Sequence, residues 1–261
     1  MTSSHITIAR CTSLLAVVCL GIAGCGKGAA PAGPKPAKAD APAEAPKPAE
    51  PKQAEPTPKP APTVAAPAAA KDDPLLNPQL ASDTAPERYA VKLDTTKGDI
   101  VIDVERAWAP VGADRFYNLV KIGYFSDNAF FRVVKNFMAQ VGLHGQPEVN
   151  RAWRRARIKD DPVTQKNVRG MVTFATSGKD SRVNQFYVNL VDNLRLDAMG
   201  FAPFGKIRDM AVVDQLYSGY GEGAPGGRGP RQALIQNAGN AYLMAEFPQL
   251  DYIVTATIIE P

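Results

Sequence analysis

Hydrophobic and polar residues alternate in two neighbouring segments near the middle of the chain. Residues 89–96 (YAVKLDTT) and residues 99–104 (DIVIDV) place apolar side chains at about every second position. A period of two is typical of a strand with one buried face, and Lys97-Gly98 between the segments is typical of a tight turn. The pattern therefore predicts a β-hairpin over residues 89–104.

A helical spacing follows the hairpin, and short strand-like segments follow the helix. Pro110 favours the first turn of a helix, Phe116, Leu119 and Val120 recur at helical intervals, and Gly123 ends the pattern. Further strands are predicted at 130–134, 137–141, 170–175, 185–190, 204–207 and 252–259, with a second helix at 210–217.

These segments amount to eight strands and two helices. An open sheet edge presents unpaired backbone groups, and strand-rich domains remove such edges by closing the sheet on itself. The predicted fold class is therefore mainly β: a closed eight-stranded antiparallel β-barrel flanked by two helices.

The composition divides the chain into two parts. The first aromatic residue is Tyr89, and 13 of the 23 prolines lie between Gly26 and Pro74. A segment without aromatic residues cannot bury enough apolar surface to offset its chain entropy. We therefore predict a disordered Pro/Ala/Lys-rich linker at 25–87 and a single folded domain at 88–261.

The charge balance excludes one class of function. The formal net charge of the chain is +4, and from Tyr89 onward 21 Lys and Arg residues stand against 18 Asp and Glu residues. A difference of +3 in the folded part is too small for a strongly basic nucleic-acid-binding domain. We expect no nucleic-acid partner.

The first 24 residues are typical of a signal peptide. Arg10 precedes an apolar run from Leu14 to Ile22, which is too short to cross a bilayer of about 30 Å as a helix. The ending Ile22-Ala-Gly-Cys25 resembles the bacterial lipobox, whose cysteine becomes the lipid-bearing first residue of the mature protein. The alternative is an ordinary secretory signal followed by a chance cysteine.

The positions of the cysteines favour lipidation at Cys25. The other two, Cys11 and Cys19, fall within the predicted signal peptide, so the mature chain would contain no internal disulfide. We expect a lipid anchor in the bacterial cell envelope. The outer membrane, facing the periplasm, is favoured over the inner membrane because Gly26-Lys27 lacks the aspartate that often signals inner-membrane retention.

The predicted linker has a composition that favours an extended polyproline II conformation. At about 3.1 Å per residue, its Pro-rich part at 26–70 would reach roughly 150 Å from the anchor if fully extended. The linker is therefore interpreted as a semi-rigid spacer, and its alternative role is that of a ligand for an aromatic groove.

Four sequence blocks follow one another in the folded part. They are residues 130–140 (FFRVVKNFMAQ), 170–175 (GMVTFA), 184–187 (NQFY) and 196–206, which holds Leu-Asp and GFAPFGK. In this order they resemble the blocks of the cyclophilin family of peptidyl-prolyl cis/trans isomerases, whose signature has an aromatic residue, then Arg, then Phe-Met-x-Gln. The similarity extends from about Tyr89 to Glu260.

This resemblance implies an enzyme that rotates X-Pro peptide bonds. The rotation crosses a barrier of about 20 kcal/mol without breaking a bond, so it requires no nucleophile, metal or cofactor. It requires a pocket for the proline ring and a hydrogen-bond donor that binds the twisted amide better than the planar one. The implied partners are X-Pro segments of unfolded or exported proteins, and the protein is expected to be a monomer.

The resemblance also assigns roles to individual residues. Arg132 is the implied donor, Gln140 bridges the substrate backbone and Arg132, and Phe137 lines the proline pocket; these three form the implied catalytic group. The implied substrate-binding residues are Met138, Ala175, Thr176, Gln185, Tyr187, Leu196 and Phe201.

Four positions depart from the family pattern. The residue before Arg132, often His, is Phe131, and the tryptophan that many members carry before the Leu-Asp pair is Arg195. The histidine often found before the Phe-Gly of the fourth block is replaced by the Gly200-Phe201 region, and Tyr187 stands for a frequent Phe. Because that tryptophan supplies part of the cyclosporin site, the resemblance implies weak inhibition by cyclosporin. The alternative function is a non-catalytic holdase or Pro-peptide-binding module, which would not need the donor at Arg132.

Three further features carry weaker signals. Residues 221–226 (GEGAPG) match G-x-G-x-x-G, but the segment opens no predicted helix, so a dinucleotide site is not expected. The basic residues within 151–159 are consistent with an acidic partner, with lipid headgroups or with a solvated loop. Residues 219–250 lie beyond the core family pattern and contain Asn240 as a candidate helix cap.

Overall fold

The structure is a computed structural model that describes residues 72–260. The predicted signal peptide (1–24), the predicted lipidation site Cys25 and residues 26–71 of the predicted linker lie outside the described residues.

Residues 72–87 pack against the domain, although the sequence assigns them to the linker. Leu75 and Leu76 contact the hydrophobic core, and Ala85 is buried. The indole Nε1 of Trp153 donates to the Leu75 carbonyl oxygen at 2.9 Å. Part of residues 72–87 therefore belongs to the packed domain, because Leu75, Leu76 and Ala85 bury apolar surface although this segment contains no aromatic residue.

Within residues 72–260, nine strands form one antiparallel sheet, in the order β3-β9-β1-β2-β8-β6-β7-β5-β4. The strands are β1 (Arg88–Thr95), β2 (Gly98–Glu105), β3 (Asn128–Ala129), β4 (Arg132–Val134), β5 (Met138–Val141), β6 (Met171–Phe174), β7 (Phe186–Asn189), β8 (Pro203–Ile207) and β9 (Tyr252–Ile259). The predicted hairpin is β1–β2, paired from Arg88 opposite Glu105 to Thr95 opposite Gly98.

The sheet curls so that its two ends lie close together. The terminal strands β3 and β4 are separated along the chain only by Phe130 and Phe131, both buried. The mainly β, antiparallel class is confirmed; among residues 72–260 the sheet has nine strands instead of eight, and it is a half-barrel whose end strands β3 and β4 do not pair, not a closed barrel. The predicted strand at 130–134 accounts for the difference, since the chain there leaves β3, which pairs with β9, and enters β4, which pairs with β5.

Three α-helices accompany the sheet among residues 72–260: α1 (Pro110–Lys121), α2 (Pro147–Trp153) and α3 (Gln232–Glu246). Helix α1 confirms the helix predicted to begin at Pro110, but the prediction of a helix at 210–217 is wrong. Only a 3₁₀ turn at Val213–Gln215 forms there, and Val213 and Leu216 are buried without a regular helix between them. No helix in the described part of the chain is long and apolar enough to cross a membrane.

Helix α3 begins eight residues before the predicted cap Asn240 and is kinked at Gly239, whose φ is +58°. At this kink the backbone N–H of Asn240 donates to the Gly145 carbonyl oxygen at 2.8 Å. A side chain at position 239 would overlap that oxygen, so the close approach requires glycine.

Aromatic side chains form the centre of the interior. The Phe116 ring lies 5.0 Å from that of Phe204, 5.3 Å from that of Phe186 and 5.5 Å from that of Phe125, measured between centroids. Phe186, which the period of two along residues 185–187 assigns to the interior, is fully buried. The alternate residues of β7 therefore face away from the core.

Candidate active site

Arg132 and Gln140 face each other across the β4–β5 hairpin. They are direct cross-strand partners in an antiparallel register, and a turn at residues 135–137 joins the two strands. Partners in such a register place their side chains on the same face of the sheet. Arg132 Nη1 accordingly donates to Gln140 Oε1 at 2.9 Å. The eight-residue spacing of Arg and Gln in the sequence block is thus the register of a hairpin.

A second polar contact continues from Gln140 to the next strand. Gln140 lies opposite Tyr187 on β7, and its Nε2 donates to Gln185 Oε1 at 2.9 Å. Gln140 is buried, so these bonds hold its amide in one orientation. Arg132, Gln140 and Gln185 therefore form a continuous hydrogen-bonded row across β4, β5 and the start of β7.

This row borders a cavity of about 530 Å³. All ten residues that the sequence assigns to catalysis or substrate binding line it: Arg132, Phe137, Met138, Gln140, Ala175, Thr176, Gln185, Tyr187, Leu196 and Phe201. They come from strands β4, β5 and β7 and from three connecting segments, and they are up to 69 residues apart in the chain. The structure brings every one of them together, while their individual roles stay predictions.

The floor of the cavity is apolar. Met138, Tyr187 and Leu196 are buried and form one hydrophobic cluster, on which Phe137 and Phe201 pack. The Phe201 ring meets the Tyr187 ring edge-on, with 5.9 Å between the centroids. Burial raises the pKa of the Tyr187 phenol, so this side chain is neutral throughout the physiological range. The floor therefore suits a small uncharged ring.

Phe137 contacts two cations at the rim of the cavity. The guanidinium carbon of Arg132 lies 5.7 Å from the centre of the Phe137 ring, and that of Arg195 lies 4.9 Å from it. Both distances lie within the range of cation–π attraction. From the sequence, Arg195 is notable only as a departure from the family pattern. In the structure it is part of the cavity wall.

Three residues missed by the sequence reasoning reach the site from residues 219–250. Gln232 and Gln236 on α3 line the cavity, and the Glu222 carboxylate binds Arg132. This bond holds the pKa of Glu222 below its usual range. The sequence gives little indication of the contact between Glu222 and Arg132. Glu222 and Glu246 are the two acidic residues in this segment, and nothing in their spacing connects either one with Arg132.

Among residues 72–260, no three His, Cys, Asp or Glu side chains converge as ligands for a metal ion. The segment at 221–226 forms a loop, and the next helix begins only at Gln232. It therefore lacks the loop-to-helix junction that a dinucleotide-binding G-x-G-x-x-G requires.

The fold and the site together define a β-barrel-like protein that presents a fixed guanidinium beside an apolar cavity. Residues 90–238, more than half of the chain, match the family described as cyclophilin type peptidyl-prolyl cis-trans isomerase/CLD. The chain belongs to this family.

Similar proteins agree with this assignment. The chain is 33% identical to peptidyl-prolyl cis-trans isomerase A of Dickeya dadantii over 132 residues, which is 48% of this chain and 70% of that protein. It is 35% identical to a peptidyl-prolyl cis-trans isomerase of Acinetobacter baylyi over 133 residues, with the same coverage. A Cryptosporidium parvum cyclophilin structure superposes with a TM-score of 0.51 at 17% identity, covering 67% of this chain and 99% of that one, and supports the fold.

Proposed function

We propose that this protein catalyses the cis/trans isomerisation of X-Pro bonds at the Arg132 site, and that its substrates are exported polypeptides folding in a bacterial envelope. One observation carries the catalytic part of the proposal. The Arg132 guanidinium is held by Gln140 at the edge of the apolar floor formed by Met138, Tyr187 and Leu196.

The apolar floor binds the proline ring of the substrate. A pyrrolidine ring is uncharged and compact, and its burial against Met138, Leu196 and Phe201 removes apolar surface from water. With the ring held, rotation of the preceding peptide unit changes the geometry at the proline nitrogen while the ring itself stays in place.

Arg132 favours the rotated state of the bond. In a planar amide the nitrogen lone pair is conjugated, whereas in the twisted amide it is free to accept a hydrogen bond. An Arg132 N–H directed at this nitrogen therefore binds the transition state more strongly than either ground state, which lowers the barrier. If the transition state is bound about 4 kcal/mol more strongly than the ground state, the reaction is accelerated roughly a thousandfold.

Gln140 contributes orientation and one further donor. Its Oε1 accepts from Arg132 and its Nε2 donates to Gln185, which leaves the second N–H on Nε2 for a substrate carbonyl group. The substrate backbone is thereby held relative to the guanidinium, and the proline nitrogen meets the donor in a fixed geometry.

The envelope part of the proposal is supported by the N-terminal sequence. An apolar run too short to span a bilayer leads to the lipobox-like Cys25, and a Pro-rich segment follows. A lipid on Cys25 with a long spacer would keep the isomerase attached to a membrane while its cavity reaches newly exported chains.

The test of catalysis is a protease-coupled assay on an X-Pro peptide with the full chain purified in detergent. We expect Arg132→Ala to lower kcat/KM at least a hundredfold, because a charge-assisted transition-state contact is lost. Arg88→Ala, at an exposed arginine on β1, should leave kcat/KM unchanged. Equal activity of the wild type and Arg132→Ala would remove Arg132 from the mechanism, and peptide binding without turnover would favour the holdase alternative.

The test of anchoring is metabolic labelling with palmitate in a Gram-negative host that expresses the full chain. The wild type should be labelled and should sediment with the outer membrane. Cys25→Ala should lose the label, and Cys11→Ala, within the predicted signal peptide, should retain it. An unlabelled wild type would contradict the lipoprotein assignment without affecting the isomerase assignment.

A further inference from the structure

The loop at residues 219–229 touches the catalytic arginine, although the mechanism above makes no use of it. Arg132 Nη2 donates to Glu222 Oε2 at 2.6 Å, and Arg132 Nε lies 2.6 Å from Glu222 Oε1 as an ion pair outside hydrogen-bond angles. The carboxylate therefore lies along the side of the guanidinium that Gln140 does not occupy. Arg132 is bound from two directions by two elements 82 residues apart in the chain, one at Gln140 and one at Glu222.

The loop backbone holds Glu222 in this position. Gly221 forms a β-bridge with Val133, the neighbour of Arg132 on β4. The Glu222 carbonyl oxygen accepts from the Gly229 amide at 2.8 Å, and Glu222 Oε1 accepts from the Gly223 amide at 2.9 Å. Glu222 thus has its main chain and its side chain both fixed before any substrate binds.

The loop also packs too tightly around Glu222 for most residues. A Cβ atom at position 227 would lie 2.3 Å from the Glu222 carbonyl oxygen, and a Cβ at position 229 would lie 2.9 Å from it. Glycine is required wherever another backbone approaches this closely. Gly227 and Gly229 therefore allow the loop to close against the main chain of Glu222.

The bonds to Arg132 divide its donors into two sets. A guanidinium carries five N–H groups. One N–H on Nη1 is directed to Gln140 and one on Nη2 is directed to Glu222, while Nε lies within ion-pair distance of the same carboxylate and makes no hydrogen bond within the described residues. One N–H on each Nη group is left for a substrate. With Gln140 alone, the guanidinium would keep rotational freedom about its single hydrogen bond.

We infer that Glu222 is a positioning residue for isomerisation, which orients the Arg132 guanidinium so that its remaining N–H groups face the proline nitrogen. This inference rests on the proposed function, because it requires Arg132 to be the donor. A carboxylate that accepts a charge-assisted hydrogen bond from one nitrogen of a guanidinium and lies beside a second nitrogen restricts the rotation of the group. Such preorganisation increases the rate of isomerisation only if the Arg132 donor acts in the transition state.

An inhibitory role of Glu222 would predict different kinetics from a positioning role. If Glu222 competed with the substrate for the guanidinium, its removal would free Arg132 and raise kcat/KM. If Glu222 positions Arg132, its removal lowers kcat and leaves KM nearly unchanged, because the apolar floor still binds the proline ring. The split between kcat and KM therefore separates a positioning residue from an inhibitory one.

The experiment compares Glu222→Ala and Glu222→Gln with Glu246→Ala and Glu246→Gln in the full chain. Glu246 is an exposed carboxylate in the same segment, at the end of α3, and provides the matched control. We expect Glu222→Ala to lower kcat about tenfold with KM within twofold of the wild type. Glu222→Gln retains one acceptor for Nη2 and should recover part of the loss, and the Glu246 variants should equal the wild type.

A double-mutant cycle shows whether Glu222 acts through Arg132. In an Arg132→Ala background, assayed at about a hundredfold higher enzyme concentration, Glu222→Ala should have no further effect on kcat. Thermal unfolding of each variant checks that the loop change does not unfold the domain, and since Glu222 is partly exposed we expect melting temperatures within a few degrees of the wild type.

The outcomes separate the two hypotheses. An active wild type, an inactive Arg132→Ala and a fully active or hyperactive Glu222→Ala would overturn the positioning role and leave the isomerase assignment intact. Equal losses from Glu222→Ala with and without Arg132 would also overturn it. An inactive wild type would instead contradict the proposed function itself.

Discussion

Arg132 and Gln140 are cross-strand partners on β4 and β5, and the hydrogen bond between their side chains spans 2.9 Å. Their pairing means that the geometry of the guanidinium is set by the register of a hairpin, since a shift of one residue would turn one of the two side chains to the opposite face. The β4–β5 turn is therefore as important to the site as the residues themselves.

Replacing Gln140 tests this pairing. Gln140→Ala removes the acceptor for Arg132 and the donor to Gln185, so we expect kcat/KM to fall about tenfold, which corresponds to about 1.4 kcal/mol. Gln249→Ala, at an exposed position, should leave activity unchanged. The protease-coupled assay measures both, and wild-type activity in Gln140→Ala would mean that the row of hydrogen bonds does not support catalysis.

Inhibition by cyclosporin should be weak. Arg195 occupies the position where many family members carry tryptophan, and its guanidinium lies over the Phe137 ring at the cavity rim. A charged, hydrated group there costs binding energy for an apolar ligand. We expect Arg195→Trp to tighten the inhibition constant at least tenfold and Arg151→Trp, on α2, to have no effect. A nanomolar constant for the wild type would contradict this prediction.

Truncation of Phe116 should destabilise the domain. Phe116 is fully buried against the rings of Phe125, Phe186 and Phe204, so Phe116→Ala leaves a cavity in the centre of the core. We expect the free energy of unfolding to fall by about 3–5 kcal/mol in urea titrations. Met244→Ala, at an exposed position on α3, should change it by less than about 0.5 kcal/mol.

Stability should decrease in mild acid through His144. This histidine is buried and its Nδ1 accepts from the Gln146 amide, and burial lowers its pKa despite the nearby Glu148 and Asp127. Below a pH of about 6.5 the unfolded chain therefore binds more protons than the folded chain. The stability due to a neutral His144 is complete above that value and is lost as the pH falls toward the folded-state pKa.

Urea titrations at pH 7, 6 and 5 measure this effect. The free energy of unfolding of the wild type should decrease more steeply between pH 7 and pH 5 than that of His144→Gln, which has no imidazole to protonate. His144 is the sole histidine of residues 72–260, so no other imidazole in the described part of the chain contributes to the difference. Parallel pH profiles for the two proteins would refute the assignment.

Much of the candidate site could be predicted from the sequence because its residues lie within short blocks that resemble those of a known family. Strand periodicity placed Gln185 and Tyr187 on one face and Phe186 on the other, and the structure agrees. The predicted helix at 210–217 failed for a physical reason. Its apolar residues Val213 and Leu216 are buried by tertiary contacts that do not require a helix.

At the level of the sequence, the resemblance of four short blocks to the cyclophilin family named the residues that meet in the cavity, and alternation along one strand assigned Gln185 and Tyr187 to one face and Phe186 to the other. The sequence did not determine the contact of Glu222 with Arg132, the addition of Arg195 to the cavity wall or the packing of Leu75 beside Trp153. The contacts of Glu222 with Arg132, of Arg195 with Phe137 and of Leu75 with Trp153 join residues that are 58 to 90 positions apart in the chain. Only the tertiary fold brings such groups together, because no short-range preference of the backbone encodes contacts over that separation.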